Sequence, residues 1–445
     1  MKTFSKGGIH PPENKLGAGE AIRTLPLPET VTVPLSQHIG APAVAVVAKG
    51  DKVLTGQLIA KSGGFVSAGV HSPVSGVVTA VDDIVGPAGL RQAAITIKVE
   101  GDEWMPEIDR SEKLAKGCPF EADEIIKRIA EAGIVGMGGA TFPTQVKLTP
   151  PPGKKAEYLI INGVECEPYL TADHRVMLER GMEVLTGASI LAKALKVAKT
   201  FVGIESNKPD AIAHLTKLAS NFLAMEVVPL RVKYPQGGEK QLIEAVVGRQ
   251  VPSGALPIDV GVVVQNVGTA LAVYEAVQKN KPLIERVVSV TGHGIATPAN
   301  FLARIGTPVS ALIEAAGGVT TTASKVIGGG PMMGRAMSNV GAPVTKGTSG
   351  ILVMNEREAS RCAETGCIKC GRCVTACPMG LEPYLLSKQA EKQMFDELEA
   401  GHVYDCIECG SCAFTCPARV PLLDWIRQGK AGVMKIMRSR TAPAK

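Results

Sequence analysis

Tyr158-Leu159-Ile160-Ile161-Asn162-Gly163-Val164-Glu165-Cys166-Glu167-Pro168 is the stretch on which the architecture turns. Residues 158–161 read as a short strand buried on both faces. The run then breaks into polar side chains and glycine. In α/β sheets, polar groups just past the C-terminal end of a parallel strand are where ligands bind. The same residues also suit an ordinary polar loop. Downstream the alternation continues. Residues 173–196 have a helical pattern and 200–204 read as a strand. Residues 209–222 read as a helix with proline in its first turn, and 227–230 as another strand. Strand–helix–strand–helix–strand implies a parallel sheet with right-handed crossovers.

Upstream, Ile125, Ile126, Ile129 and Ile134 recur near helical spacing, with Glu124, Lys127, Arg128 and Glu131 between them. That helix runs into Gly136-Met137-Gly138-Gly139-Ala140-Thr141-Phe142-Pro143-Thr144. Glycines let backbone N–H groups approach phosphate oxygens, or they merely turn the chain. Here the helix precedes the loop, unlike the usual dinucleotide fingerprint. Two further polar segments follow strands: Tyr234-Pro235-Gln236-Gly237-Gly238-Glu239 and Gln265-Asn266-Val267-Gly268-Thr269. Residues 286–292 read as strand and turn, 309–316 as a short helix, and 325–331 as a strand ending in a glycine turn. This is the pattern of a small β-grasp insert.

The first hundred residues look all-β. Val31-Thr32-Val33 and Ile95-Thr96-Ile97-Lys98-Val99 alternate, and Gly50-Asp51 and Gly63-Gly64 are turn signals. Residues 69–78, with the turn Gly50-Asp51-Lys52-Val53-Leu54-Thr55-Gly56 upstream, resemble a biotinyl/lipoyl-type barrel-sandwich. The hairpin that would carry the modified lysine is occupied by Lys61-Ser62-Gly63-Gly64-Phe65-Val66-Ser67. It lacks the Asp-Lys-Ala or Met-Lys-Met motif, so the expectation is an unlipoylated structural module.

Eight of the 11 cysteines crowd into residues 367–416. Cys367-x2-Cys370-x2-Cys373-x3-Cys377-Pro378 is repeated as Cys406-x2-Cys409-x2-Cys412-x3-Cys416-Pro417. Three thiolates at this spacing wrap one face of a cubane, and the fourth ligates the other cluster in two-cluster ferredoxins. The expected ligand sets are therefore Cys367, Cys370, Cys373 and Cys416 for one [4Fe-4S] cluster, and Cys406, Cys409, Cys412 and Cys377 for the second. Zinc would use two separated pairs instead. Residues 381–400 between the blocks read as one helix. One-electron clusters need a device that splits electron pairs, and a flavin is the usual one.

With 445 residues the chain has room for about three domains. Its net charge of +6 is too mild to argue for nucleic acid, and aromatics at 4% disfavour a stacking single-strand binder. No apolar run approaches the ~20 residues of a membrane helix, and residues 1–8 lack a signal-peptide core. The expectation is a cytosolic chain. After Gly429, the basic residues Lys430, Lys435, Arg438, Arg440 and Lys445 stand near Leu422, Leu423, Trp425, Ile426, Val433, Met434, Ile436 and Met437. Such a tail suits an anionic membrane surface or docking on a membrane subunit, or a solvated terminal helix with a frayed end.

In order, the glycine loop, the Asn-x-x-Glu-x-Glu-Pro turn, the Gly-Glu segment and the Asn-Val-x-Thr segment resemble the flavin- and NADH-binding subunit of respiratory complex I. To these the chain adds Gly7-Gly8-Ile9-His10-Pro11-Pro12-Glu13-Asn14-Lys15, the barrel-sandwich start and the double cysteine motif. As a whole it is similar to the RnfC family, found in Rnf ion-translocating electron-transport complexes. The resemblance implies a multidomain α/β protein. Its parts would be a barrel-sandwich (1–105), an FMN/NADH-binding α/β domain (106–280), a β-grasp, SLBB-like domain (281–354), and a helical two-[4Fe-4S] ferredoxin-type domain with a basic tail (355–445). It implies non-covalent FMN held by Gly136, Gly138, Gly139, Lys147 and Asn162, and lined by Tyr234, Gly237, Gly238 and Glu239, with Asn266 and Thr269 near its phosphate. Phe142, Glu165 and Glu167 would face NAD(H), although Val164 and Lys240 replace acidic residues of the complex I relative. No residue is singled out as catalytic. The implied function is electron exchange between NAD(H), FMN and the two clusters in ferredoxin:NAD+ oxidoreduction. Membrane and iron–sulfur partner subunits would link it to ion transport, on the cytoplasmic face of the inner membrane, with ferredoxin engaged indirectly and no nucleic acid. A cobalamin-reductase-like enzyme and a flavin-free electron relay are the alternatives.

Overall fold

Four sheets organise the computed structural model, which describes residues 1–441. The strand at the heart of the sequence argument spans Tyr158–Asn162. It lies inside a four-stranded parallel sheet, in the order Met225–Leu230, Lys199–Glu205, Tyr158–Asn162, Val262–Asn266. Successive strands step outward to one side, and Val262–Asn266 then returns to the opposite side of Tyr158–Asn162. These two neighbouring strands leave the sheet as paired residues, Asn162 beside Asn266. That reversal of strand order opens a crevice at the carboxyl ends, where α/β sheets bind ligands.

Helices cover both faces. Gly181–Leu195 and Val267–Lys279 pack on one and Glu239–Val247 on the other. The helical pattern expected over 173–196 is two helices, Ala172–Glu179 and Gly181–Leu195, parted at Arg180. Arg180 leaves helical geometry there, at φ −126° and ψ 27°. The helix expected over 209–222 ends at Ala219.

The barrel-sandwich stacks the four-stranded antiparallel sheet Thr30–Pro34, Arg91–Gly101, Ser75–Val85, Lys52–Val53 against Val44–Ala45, Leu58–Lys61 and Val70–His71. Its core runs without a break into that of the parallel-sheet domain, through Ile125, Ile129, Ile134 and Val135. The six-stranded mixed sheet contains the expected strands Glu285–Thr291 and Ala323–Gly328, and the helix Val309–Ala315 packs with it. Ile22–Thr24 joins this sheet beside Ala299–Arg304. The residues before it cross the parallel-sheet domain, where Lys2 bridges Leu230 and Ile9 bridges Tyr234. Most of the first 24 residues thus bind other domains rather than the barrel.

Lys346 sits buried where three domains meet. Its Nζ donates to the carbonyls of Gly69 and Gly133, both at 2.7 Å. Burial holds its ammonium at a pKa of about 7, against about 10.4 for an unfolded lysine. Between those values the folded chain binds fewer protons, so stability rises as pH climbs through the window. Lys346→Met is expected to flatten that rise, read by urea unfolding at pH 7 and pH 9. An unchanged slope would contradict this account.

The cysteine domain is helical. The helix expected over 381–400 is two, Pro383–Glu391 and Phe395–Ala400. The break comes at Gln393, which takes φ 55°, a conformation no regular helix accommodates. The terminal helix Leu422–Thr441 lies across both. Leu422, Ile426 and Val433 are buried in the cluster-domain core, with Trp425 and Met437 packed against it. Arg440 pairs with Glu399 at 2.8 Å and Lys430 with Glu408 at 3.3 Å. The apolar stripe of the tail is therefore occupied within the chain, which removes much of the surface a lipid-facing helix would need. Lys445 lies outside the described residues. Among those described, no helix is long and apolar enough to cross a membrane.

Candidate functional site

Asn162 and Asn266 close the ends of two adjacent strands, and the glycine loop packs directly onto them. The Met137 N–H donates to Thr269 Oγ1 at 2.9 Å. A Cβ on Gly138 would stand 3.3 Å from the Asn266 side chain. Asn266 caps the helix Val267–Lys279 by accepting from Gly268 N at 2.8 Å, and donates to Asp173 at 2.6 Å. The positive end of that helix faces the crevice. The N–H groups of Gly138 and Gly139 meet no acceptor among the described residues. A Cβ on Gly139, which takes φ 120°, would meet nothing within 4 Å. Free donors, open space and a helix N-terminus fit an anionic group such as a flavin phosphate.

The other expected residues surround this point. Asn162 donates to the Gly237 carbonyl at 2.9 Å and accepts from Val164 N at 3.1 Å, joining the two polar turns. Lys147 pairs with Glu239 at 2.7 Å and also donates to Val264 O. Gly238 precedes the helix Glu239–Val247. The Phe142 carbonyl accepts from Gly136 N and closes the glycine loop. Buried Gln236 and Gln265 each leave an amide nitrogen without a partner among the described residues.

The two glutamates part company. Glu165 accepts from Asp173 N at 2.7 Å and His174 N at 3.2 Å, capping the helix Ala172–Glu179. Burial, with Glu165 nearby, raises the Asp173 carboxyl to about 7. The Glu167 carboxylate turns the other way, to Met332 N at 3.1 Å and Met333 N at 2.8 Å. Burial raises it to about 7. Cys166 is a half-buried thiol pushed upward by desolvation, and it accepts from Gly237 N at 3.4 Å.

Sequence reasoning missed what holds this turn. Lys15 Nζ donates to three carbonyls: Glu165 at 2.8 Å, Glu167 at 2.9 Å and Leu170 at 2.7 Å. Lys208 Nζ donates to Val164 O at 2.8 Å. The signal for Lys15 was its place in the N-terminal signature. Nothing in the sequence marked Lys208.

Tyr234 connects the site to the cysteines. Its hydroxyl donates to the Cys409 carbonyl at 2.8 Å. Ile9 pairs with Tyr234 while the preceding Gly8 N–H donates to Ala376 O at 3.0 Å. A Cβ on Gly7 would overlap the Cys377 carbonyl, so glycine is required for that approach. Cys377, Cys406, Cys409 and Cys412 line one small cavity, with Leu386, Leu423 and Ile426 among its apolar walls. Burial and the neighbouring thiols push Cys406 up to about 11 and Cys412 higher still. Four mutually disfavouring thiolates around one space call for a cationic iron–sulfur core, and its binding would release protons. No three such side chains among the described residues converge enough to grip a single metal ion. The first block is more open. Cys373 is buried and feels Cys416, whereas Cys367 and Cys370 are exposed.

Comparisons with known proteins bear on these features. Residues 3–102 match the RnfC barrel sandwich hybrid domain and 129–275 the Nuo51 FMN-binding domain. Residues 287–336 match the SLBB domain and 360–417 a 4Fe-4S dicluster domain. The C subunit of the proton-translocating ferredoxin:NAD(+) oxidoreductase complex of Clostridium ljungdahlii is 48% identical over 399 residues, covering 89% of this chain and 86% of that protein. Its Na(+)-translocating counterpart from Acetobacterium woodii is 46% identical over 435 residues, covering 96% and 97%. The C subunit of the ion-translocating oxidoreductase complex of Rhodobacter capsulatus is 47% identical over 400 residues, covering 87% and 75%. Among solved structures, an NAD+-reducing [NiFe]-hydrogenase in the H2-reduced state shares the fold, at TM-score 0.50 and 18% identity. The match covers 73% of this chain and 63% of that one.

Proposed function

From the premise that the chain belongs to the RnfC family, the C subunits of ion-translocating ferredoxin:NAD(+) oxidoreductase complexes, we propose that it exchanges electrons with NAD(H) in such a complex, peripheral on the cytoplasmic face of the membrane. One observation carries this reading. The crevice at the strand-order reversal and the four-thiol cavity meet at Tyr234, whose hydroxyl reaches the Cys409 carbonyl. FMN supplies exchange between hydride and single electrons, and each [4Fe-4S] cluster carries one electron.

The chain's own residues do the rest. Gly138 and Gly139 offer backbone donors beside the positive end of Val267–Lys279, and Gly136 closes the loop by donating to the Phe142 carbonyl. Asn162, Asn266 and Thr269 fix the loops around that point. Lys15 and Lys208 hold the 164–170 turn rigid by its carbonyls. Asp173, with its raised pKa of about 7, can hold a proton beside Asn266. Cys377, Cys406, Cys409 and Cys412 form the ligand set nearer the flavin site. Cys367, Cys370, Cys373 and Cys416 form the set nearer solvent, through which partner iron–sulfur and membrane subunits exchange electrons. Ion movement belongs to those partners, because no described helix here crosses a membrane.

Anaerobic purification with reconstituted iron, sulfide and FMN tests the proposal. NADH is expected to bleach one flavin per chain and bring up reduced-cluster EPR signals. Gly138→Val, which crowds Asn266, is expected to lose the flavin and keep the clusters. Clusters without flavin in the wild-type chain would overturn the reading in favour of a relay.

A further inference from the structure

The glycine turn after the strand Ala323–Gly328 lies between two domains it does not belong to. On one side, Glu167 of the flavin-site turn accepts the Met332 and Met333 N–H groups at 3.1 and 2.8 Å. A Cβ on Gly330 would overlap that carboxylate, so the close approach requires glycine there. On the other side, Arg427 donates to the Met333 carbonyl at 3.2 Å. Arg427 and Lys430 both pair with Glu408, at 3.0 and 3.3 Å, and Lys430 donates to the Cys406 carbonyl at 2.6 Å. A Cβ on Gly410 would stand 2.9 Å from the Met332 carbonyl. Met332 packs with Ile9, Tyr234, Cys166, Ala376, Cys409 and Ile407 in one apolar cluster.

We propose that the 328–334 turn is a clamp that fixes the separation of the flavin site from the proximal thiol cavity, with Glu167 a positioning residue rather than a nucleotide contact. It rests on the proposed function for its redox meaning. The physical reason is geometric. Transfer between two centres falls steeply with their separation, and the turn adds a third element to the direct contacts between the two domains, Tyr234 to the Cys409 carbonyl and Gln241 to the Pro378 carbonyl. The Glu167 carboxylate has two oxygens, and each takes one of the two turn amides, so its orientation is set by the turn and it faces Met332 and Met333. Arg427 pins the same turn from the cluster side. The N-terminal strap, through Ile9 and Gly8, binds the opposite edge of the contact.

Hydrogen exchange on the full chain as purified tests the clamp without needing activity. Glu167→Ala is expected to speed exchange at 331–334 and at 406–412 together, and to leave Glu285–Thr291 protected. Glu167→Gln keeps one amide oxygen and restores much of the protection. In the reconstituted chain, Arg427→Ala is expected to let NADH bleach the flavin at the wild-type rate, while the later cluster reduction slows by about tenfold or more. Unchanged exchange in Glu167→Ala would overturn the clamp. So would a raised KM for NADH with cluster reduction at the wild-type rate, which would return Glu167 to the nucleotide. Should NADH bleach no flavin in the wild type, the proposed function fails, and the exchange result still decides the clamp.

Discussion

Cys377→Ser is expected to abolish the cluster held by Cys406, Cys409 and Cys412 and to spare the other. Cys377 lies in the first cysteine block, so a reading in which each block holds its own cluster predicts the reverse. The structure puts Cys377 on the wall of the second block's cavity, and Cys406, Cys409 and Cys412 each feel its charge. A serine oxygen is a poor substitute for a soft thiolate on iron. Iron content should fall from about eight to about four atoms per chain. The NADH-bleached flavin should persist while cluster reduction is lost, because this set lies nearer the flavin site. Cys416→Ser makes the converse case, removing the solvent-side cluster and leaving the first transfer intact. Loss of the Cys367, Cys370 and Cys373 cluster in Cys377→Ser would refute crossed ligation.

Gly187→Ala should be among the most destabilising single changes in the flavin domain. Gly187 lies in the helix Gly181–Leu195, where it crosses Val267–Lys279. A Cβ there would overlap the Ala270 carbonyl, a backbone atom that no rotamer change can move. Alanine would favour the helix by about 1 kcal/mol relative to glycine. Forcing two packed helices apart costs up to about 3 kcal/mol or more, so the steric effect wins. The expected fall in Tm is roughly 4–8 °C for a net loss of about 2 kcal/mol in a domain of this size. Val267–Lys279 begins with the residues that fix the glycine loop, so flavin retention should fall with stability. Gly117→Ala is the control, since nothing lies within 4 Å of a Cβ there. Melting curves within a degree of wild type for Gly187→Ala would show that the helices part freely.

Much of this protein was legible in its residues. Spacing marked both cysteine blocks of what matches a 4Fe-4S dicluster domain, because most iron–sulfur ligands lie within one short motif. The glycine loop, the Asn162 turn, the Tyr234 segment and the Asn266 segment announced themselves as polar breaks after apolar runs. The parallel sheet followed from alternation alone. The breaks at Arg180 and Gln393 were not legible, because apolar spacing continues through both and only the backbone reveals the interruption. The direction of Glu167 was not legible either. Its motif places it in the flavin turn, but the partner that claims its carboxylate lies 165 residues away.

Residue order was enough to specify the chemistry available: eight thiols at cluster spacing, glycine amides in an open loop, and the family to which they belong. Their arrangement came only with folding. The docked chain placed Asn162 beside Asn266 at the reversal of strand order, threaded Lys15 into the carbonyls of a distant turn, and set Tyr234 against Cys409. It also wedged a turn from the six-stranded sheet between the flavin site and the thiol cavity. Local patterns record which side chains a segment carries and which face it buries. Contacts between segments far apart in the chain depend on how whole domains dock, and no periodicity or spacing within a segment records that.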